Sequence, residues 1–218
     1  MKSINRKKLS YTNEVIYLRL SKSIEDKEVS RVLEWYETIS ETYDDLYRNE
    51  QRLKYFMLFK DIDSYSTNFS NELLKVIDIG CGTAELASYL DDRLGRYRQI
   101  FFIGLDLSPK QLSIAKRKSE SLNIIIELIA ADLTYPPLRG DVKVDIVALI
   151  SVIKCWYDVH AILNYIRRNF VSTVLLYTIL CNSDDLLNKL IHELRSASCK
   201  RYSSREILCI EGDIGEGV

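Results

Sequence analysis

The chain has 218 residues, enough for one large domain or for a core domain with an extension. Hydrophobic residues make up 47% and charged residues 28%, which is typical of a soluble globular protein with a sizeable core. A formal net charge of −1 excludes a strong overall field that would recruit nucleic acid or an anionic membrane, although a local patch could still do so. The apolar runs, of about ten residues at most, are too short to span a bilayer and suit buried strands.

The cysteine and histidine residues predict neither disulfides nor a metal site. The five cysteines are Cys81, Cys155, Cys181, Cys199 and Cys209. Their odd number and the absence of a Cys-x-x-Cys pair favour reduced thiols. His160 and His192 show no metal-ligand spacing. The basic N-terminus is not followed by an apolar segment, so we expect no secretory signal and a cytoplasmic protein.

The first 70 residues are predicted to be helical. Apolar residues recur at steps of three and four from Val29 to Tyr47, which predicts one helix, or two helices broken near Ser40. A second helical stretch, 49–60, carries Leu53, Phe56 and Met57. We therefore expect residues 1–70 to form a helical N-terminal extension or lid and residues 71–218 to form the core domain.

From residue 71 onwards, apolar strands alternate with helices. The predicted strands are 73–80, 99–107, 123–130, 144–151, 172–181 and 205–210, and the predicted helices are 83–94, 110–119, 158–170 and 183–198. Gly95 is expected to end the first of these helices, and Ser108 and Ser183 are expected to cap later ones. Strands that are apolar without alternation are buried on both faces, so this pattern predicts a doubly wound, mostly parallel sheet of the α/β class.

Ligands of such sheets bind beyond the carboxyl ends of the strands, and the first of these loops contains Gly80 and Gly82. A phosphate-binding P-loop is excluded because no Lys follows Gly82. A dinucleotide-binding loop would have a third glycine at position 85. Glu85 stands there, and its carboxylate would repel a pyrophosphate at the helix N-terminus. The loop alone is also compatible with a plain turn between strand and helix.

The stretch "DIGCGTAEL", residues 78–86, resembles motif I of the class I S-adenosylmethionine-dependent methyltransferases. The resemblance implies a Rossmann-like fold and S-adenosyl-L-methionine as cofactor, with Gly80, Cys81 and Gly82 beneath its methionine part. It also implies that Asp78 holds the loop and favours the ammonium group. Since this cofactor is cationic, Glu85 counts in favour of it.

The next two loops agree with this resemblance, which covers roughly residues 71–181. Asp106, followed by Leu107, ends the second strand and matches the family's acid that accepts both ribose hydroxyls. Asp132 matches the acid that accepts from the adenine amino group, with Ala131 before it offering its backbone N–H and Leu133 after it. A single Asp in such a loop is often a helix cap, but three acids at three successive strand ends match the order and spacing of the family.

The fourth loop, from Ser151 to Trp156, is expected to border the methyl acceptor. Lys154 and Cys155 stand where the family usually has histidine, and residues 151–155 lack the Asn/Asp-Pro-Pro-aromatic signature of amino-group methylases. Cys155 is compatible with a nucleophile or with an inert, half-buried thiol. Methyl transfer from a sulfonium can proceed by proximity and orientation, so no catalytic residue is assigned.

Tyr43 and Tyr47 lie in a Tyr-Asp-x-x-Tyr segment that resembles family segments folding over the cofactor. The alternative is that these tyrosines belong to a stripe that packs on the sheet.

The basic clusters at 5–8 and 116–118 are compatible with RNA binding or with solvated faces. The sequence thus predicts a methyltransferase acting on a small molecule, a protein or an RNA. A nicotinamide-dependent oxidoreductase and a non-catalytic cofactor-binding partner subunit are the alternatives, and the oligomeric state is left open.

Overall fold

A seven-stranded sheet with helices on both faces forms the part of the chain that the computed structural model describes, residues 26–62, 73–95, 98–131, 142–194 and 197–214. The helices are α1 (Asp26–Ile39), α2 (Tyr43–Ile62), α3 (Glu85–Leu94), α4 (Pro109–Ser119), α5 (Val159–Asn169) and α6 (Asp184–Glu193). The strands are β1 (Leu73–Ile79), β2 (Gln99–Asp106), β3 (Ile125–Ala130), β4 (Val142–Lys154), β5 (Phe170–Leu180), β6 (Ser198–Ser203) and β7 (Glu206–Ile214).

The strands lie in the order β3-β2-β1-β4-β5-β7-β6. The pairings from β3 to β5 are parallel, whereas β7 is antiparallel to both β5 and β6. The predicted α/β fold, a Rossmann-like and mostly parallel sheet with an α-helical N-terminal extension, is therefore confirmed. Because β1 lies between β2 and β4, the direction of winding reverses beside it, and the loops after these strands meet at this switch point.

Each face of the sheet has its own hydrophobic cluster. One cluster packs α5 and α6 against the sheet, and the other packs α2, α3 and α4 against it. In the second cluster, Tyr55, Leu58 and Phe59 of α2 share the core with Leu86 and Leu90 of α3. The C-terminal half of α2 is thereby held beside the helix that follows the glycine loop.

Local signals in the sequence explain where several helices begin. A 3-10 turn, Ser40–Thr42, separates α1 from α2, which selects the alternative of two helices broken near Ser40. Ser108 Oγ accepts from the Gln111 N–H at 3.2 Å, with Pro109 as first residue of α4. Ser183 Oγ accepts from the Leu186 N–H at 3.3 Å at the start of α6. Both predicted caps are confirmed.

Three elements differ from the prediction. Strand β6 occupies residues 198–203 and was not predicted, because an edge strand with mostly exposed polar side chains has no apolar run. Helix α6 ends at Glu193 rather than at 198. Strand β4 continues to Lys154, so Ser151 lies within an irregular part of this strand and not in the loop after it.

Leu53 and Phe56, which belong to the predicted helical stretch 49–60, do not lie on the buried face of α2. Leu53 and Phe56 are 50% and 52% exposed. The buried positions are 51, 54, 55, 58 and 59, which have the i, i+3, i+4, i+7, i+8 spacing of one helical stripe. Two polar residues, Gln51 and Lys54, are therefore buried at the carboxyl edge of the sheet.

Candidate cofactor and acceptor site

The loop after β1 holds its two glycines in a conformation that other residues rarely adopt. Gly80 has φ 82° and Gly82 has φ 52°, both in the left-handed region. The N–H groups of Gly80 and Cys81 donate to the Leu105 carbonyl at 2.7 and 2.9 Å. The loop is thus held against β2, and its backbone can approach a ligand closely.

An open hydrogen-bond acceptor lies beside Gly82. A Cβ atom at Gly82 would lie 3.8 Å from Gln111 Oε1 and 3.9 Å from Tyr43 Cε1. This Gln111 oxygen is buried and has no hydrogen-bond partner among the described residues, while Nε2 donates to the Tyr36 carbonyl at 3.4 Å. Because a buried oxygen without a donor is costly, the site fits a ligand that brings an N–H or O–H group to the glycine loop.

Asp106 ends β2 and fixes the glycine loop from the other side. Its Oδ2 accepts from the Gly82 N–H and its Oδ1 accepts from the Ser108 N–H, both at 2.8 Å. Burial raises the pKa of this carboxyl, and these backbone hydrogen bonds oppose the rise. Each carboxylate oxygen can accept more than one hydrogen bond, so Asp106 retains the capacity to bind hydroxyl groups.

A second carboxyl, that of buried Asp78, lies in β1 next to Asp106. Burial, and then the charge of Asp106, raise the pKa of Asp78 to about 8. A nearby cation would favour the ionised form of both carboxyls. The pair therefore suits a ligand with an ammonium group and disfavours a phosphate.

The remaining predicted residues of the first two loops have different surroundings. Cys81 is a buried free thiol, and burial raises its pKa, so that it stays protonated. Leu107 follows β2 and is half-buried. Neither side chain carries a charge into the site.

Ala131 follows β3 and is buried, but its N–H donates to the Asp106 carbonyl at 2.9 Å. The prediction that this N–H is offered to the adenine is therefore wrong, because the connection between the ends of two neighbouring strands uses it. Asp132 and Leu133 lie outside the described residues.

Three tyrosines of the N-terminal extension cluster beside the glycine loop. The Tyr43 ring lies 6.0 Å from that of Tyr36 and 5.0 Å from that of Tyr47, measured between ring centroids. Burial raises the pKa of Tyr36 and Tyr43, and the charge of Asp106 contributes to both shifts. Tyr36 and Tyr43 are thus near Asp106, and Tyr47 packs against Tyr43.

Glu85, at the start of α3, is surrounded by basic side chains. Its carboxylate lies 2.7 Å from Arg52 Nε, 2.8 Å from Lys118 Nζ and 3.4 Å from Arg48 Nε. The interpretation of Glu85 as a carboxylate available to a cationic cofactor is therefore wrong, because protein cations already neutralise it. The same contacts remove the predicted repulsion between Glu85 and a pyrophosphate.

The same cluster joins the extension to α4. Asp44 of α2 accepts hydrogen bonds from the Thr83 hydroxyl and, at 2.9 Å, from Lys118 Nζ. Burial opposes ionisation of Asp44, but these bonds outweigh it and its pKa is lowered. Lys118 belongs to the predicted basic cluster 116–118, so this cluster is not simply a solvated face.

Strand β4 lies on the side of β1 opposite to β2. Ser151 lies where the pairing of β4 with β5 is irregular, and the φ angle of Ser151 is 65°. Its Oγ accepts from Lys54 Nζ at 3.0 Å and from Gln51 Nε2 at 3.1 Å. Lys154, nearby in β4, has its pKa lowered by burial.

The sequence prediction missed Gln51 and Lys54. The signal that could have found them is the burial stripe of α2, on which both are polar members.

The prediction of reduced cysteines is wrong for four of the five. Cys155 is bonded to Cys181, and Cys199 is bonded to Cys209. The second bond follows from register, since these two residues face each other across β6 and β7 with Cα atoms 4.1 Å apart. Cys155 is therefore not a free nucleophile in this structure.

Among the described residues, no group of three or more His, Cys, Asp or Glu side chains is arranged to hold a metal ion. His160 lies 3.3 Å from Glu193 at the surface. No helix in the described part of the chain is both long and apolar enough to cross a membrane.

Solved structures with low sequence identity share this fold. A methyltransferase from Clostridium acetobutylicum that depends on S-adenosylmethionine has a TM-score of 0.57 and 13% identity, covering 83% of this chain and 99% of its own. A protein assigned as a class I methyltransferase, from Listeria monocytogenes, has a TM-score of 0.55 and 12% identity over 77% of this chain, which spans 61% of that longer protein. A protein assigned as a methyltransferase and bound to the Haloferax volcanii Trm112 methyltransferase activator has a TM-score of 0.55 and 13% identity, covering 83% of this chain and 98% of its own.

The fold is thus that of the class I, Rossmann-like methyltransferases. A family model described as a methyltransferase domain matches residues 70–216, and the chain belongs to this family. The cofactor of the family is S-adenosyl-L-methionine, which confirms the predicted cofactor. No curated protein sequence matches the chain.

Proposed function

We propose that the chain is an enzyme that transfers a methyl group from S-adenosyl-L-methionine to an acceptor. The observation that carries this proposal is the grouping of Asp78, Asp106 and the open Gln111 oxygen around the glycine loop. All three accept hydrogen bonds or balance positive charge, which suits an ammonium group and a ribose and does not suit a phosphate. When bound, the cofactor supplies a methyl group on a positively charged sulfur.

The proposed roles follow the positions of the residues. Gly80 and Gly82 let the backbone approach the ligand, Asp78 balances its ammonium group, and Asp106 accepts its ribose hydroxyls. Ala131 contributes apolar contact rather than its N–H. The full proposed binding set is Asp78, Gly80, Cys81, Gly82, Asp106, Leu107, Ala131, Asp132, Leu133, Ser151, Tyr43 and Tyr47.

The N-terminal extension, residues 1–70, acts in this proposal as a lid on the core domain, residues 71–218. Support comes from contacts that join α1 to the start of α4. Glu37 accepts from the Ser108 hydroxyl at 2.7 Å, and Lys110 Nζ donates to the Glu37 carbonyl at 3.3 Å. With the extension held there, Tyr43 and Tyr47 would exclude water from the reacting groups.

No residue is proposed as a general base. In an in-line displacement the protein contributes chiefly by holding the two reacting groups close and correctly oriented. The acceptor would be held at the segment from Ser151 to Trp156, where the Trp156 side chain is 57% exposed and could meet it from solvent. The cytoplasmic location stays a prediction of the sequence.

The test is transfer of tritium from labelled S-adenosyl-L-methionine into fractionated small molecules, proteins and RNA. We expect label in one of these classes. Because a similar structure is bound to an activator protein, each reaction is run with and without an unlabelled cell extract as a source of partner. Cofactor binding without transfer under either condition would support the non-catalytic subunit, and oxidation of a nicotinamide cofactor would support the oxidoreductase.

A further inference from the structure

Ser151 has a strained backbone that is held by its neighbours. Its φ of 65° lies in the left-handed region, which residues other than glycine occupy rarely and at an energetic cost. The Ser151 N–H donates to Thr178 Oγ1 at 2.8 Å, and this bond fixes the irregular part of β4 against β5. Such strain is common at functional sites because it aims a side chain at a ligand.

The Ser151 hydroxyl has one unused hydrogen-bonding capacity. Its oxygen already accepts from Lys54 Nζ and Gln51 Nε2, which uses both lone pairs. The hydroxyl proton has no acceptor among the described residues. Ser151 therefore presents a donor.

Two side chains, one bonded to Ser151 and one bonded to Lys54, each have a buried oxygen with unused acceptor capacity. Gln51 Oε1 and Glu206 Oε1 are buried and lack a hydrogen-bond partner within the described ranges. The other oxygen of Glu206 is bound to Lys54 Nζ at 2.7 Å, and the remaining donor of Lys54 goes to Glu50 at 2.7 Å. The three donors of Lys54 are thus fully used. Four residues together form the Ser151 cluster: Gln51, Lys54, Ser151 and Glu206.

The Ser151 cluster lies at the same sheet edge as the cofactor loop. Asp78 in β1 pairs with Ala148 in β4, three residues before Ser151. On the side of β4 away from β1, Leu180 at the end of β5 pairs with Glu206 at the start of β7. The cluster therefore adjoins the proposed cofactor site on the side of β4, β5 and β7.

We propose that the Ser151 cluster binds an –NH2 group that stands next to a hydrogen-bond acceptor in the methyl acceptor molecule, as in a carboxamide or an amino-substituted nitrogen heterocycle. Such a group offers two N–H donors to Gln51 Oε1 and Glu206 Oε1, and its acceptor atom receives the Ser151 hydroxyl proton. A hydroxyl group has one proton and cannot satisfy both oxygens. This proposal rests on the proposed function, because it names the acceptor of the same site.

The test uses saturation-transfer NMR with three probes, acetamide, 4-aminopyrimidine and N,N-dimethylacetamide, on the full chain with and without S-adenosylhomocysteine. The first two probes have the required donor and acceptor pattern, and the third has the carbonyl but no N–H. We expect signals from acetamide or 4-aminopyrimidine that are about fivefold stronger than those from N,N-dimethylacetamide, the effect of one or more lost hydrogen bonds. The stronger of the two –NH2 probes identifies the carboxamide or the heterocycle as the source.

Variants locate the binding. Gln51→Met should remove most of the preference for –NH2 probes, whereas Gln99→Met, at an exposed position of β2, should keep it. If Gln51→Met fails to fold by circular dichroism, Glu206→Gln serves in its place and should weaken binding of the –NH2 probes. Equal signals from all probes, signals from none of them because water alone satisfies the oxygens, or a preference unchanged in the folded variant would overturn the proposal. Binding of S-adenosylhomocysteine by the unaltered chain is measured as a separate test, and its absence would contradict the proposed function rather than the role of the Ser151 cluster.

Discussion

The carboxyls of buried Asp78 and half-buried Asp106 beside the glycine loop should make cofactor binding sensitive to pH. Burial and the charge of Asp106 raise the pKa of Asp78 to about 8, so the free protein holds a proton that the ammonium group of the ligand displaces. Binding of S-adenosylhomocysteine should therefore release a proton and strengthen as pH rises from about 6 to 8, by at most about tenfold per pH unit. Calorimetry in buffers of different ionisation enthalpy measures both effects.

The free energy of unfolding of the free protein should fall as pH rises, whereas the affinity for the ligand increases. The pKa of Asp78 is about 8 in the folded state and about 4 for an exposed carboxyl, so the folded state binds the extra proton and loses stability as pH rises from about 4 to about 8. Asp78→Asn should remove both pH dependences. An affinity for S-adenosylhomocysteine that is flat from pH 6 to 8 would contradict the role of Asp78.

Replacement of Asp106 tests the ribose assignment. Asp106→Ala should weaken S-adenosylhomocysteine binding by about 2 kcal/mol or more, because two charge-assisted hydrogen bonds are lost. The variant also loses the bonds from the Gly82 and Ser108 N–H groups, so its unfolding midpoint in urea is measured alongside. Asp106→Asn keeps one acceptor oxygen and should give an intermediate affinity. An unchanged affinity in Asp106→Ala would remove the assignment.

Side chains on consecutive loops were predictable from the sequence, whereas side chains brought in from other helices were not. Gly80, Gly82 and Asp106 come together because parallel strands bring their carboxyl ends to one edge, and that regularity is visible in the apolar pattern. Gln111 and Lys54 enter the site from helices whose docking depends on tertiary packing. The use of the Ala131 N–H by the Asp106 carbonyl is also a tertiary contact, which no local pattern encodes.

The N-terminal extension is tied to the core by the carboxylate of Glu85, which is buried while its partners Arg52 and Arg48 are partly exposed. Glu85→Gln should lower the free energy of unfolding by about 1–3 kcal/mol, since it leaves the basic side chains around it without their counter-charge. Asp92→Asn removes a partner of Arg52 that is 64% exposed, and should cost less than about 0.5 kcal/mol. Urea unfolding of both variants provides the comparison, and equal losses would refute a structural role for the buried group.

The elements that the sequence predicted well are those with a strong apolar period. The core strands β1, β2 and β5 consist largely of Ile, Val, Leu and Phe, and they are buried over most of both faces in β1 and β5 and mainly on one face in β2, so their positions follow from the sequence. Strand β6 has no such signal, because it pairs along one edge only and stays mostly exposed. Helix α2 joins the end of the first predicted helical stretch to the second, 49–60, and its buried face was not predictable because exposed Leu53 and Phe56 compete with the stripe that contains Gln51 and Lys54.

Across the chain, two disulfides close loops of 26 and 10 residues. In the loop-entropy model each such bond stabilises the fold by about 3 kcal/mol, so reduction should lower the free energy of unfolding measured in urea. Alkylation of the unfolded, unreduced protein should modify one of the five cysteines, Cys81, and reduction should expose the other four. Modification of all five without a reductant would show that the bonds are absent from the protein in solution.

The parallel, doubly wound character of the sheet was predictable from alternating strands and helices, but the strand order and the antiparallel β7 were not. A buried apolar strand has the same sequence pattern in either direction, and only the length of the preceding connection limits the choice. The β6–β7 hairpin brings Glu206 to the carboxyl edge of the sheet, beside Lys54. The proposed acceptor side of the site therefore depends on the part of the fold that the sequence predicted least.

The most direct test of the account is calorimetric titration of the full chain with S-adenosyl-L-methionine, S-adenosylhomocysteine and NAD. We expect one binding site for each of the first two ligands, with dissociation constants well below about 1 mM, and no heat from NAD at the same concentrations. Absence of binding by both adenosyl ligands at about millimolar concentration, or saturable binding of NAD at the same site, would contradict it.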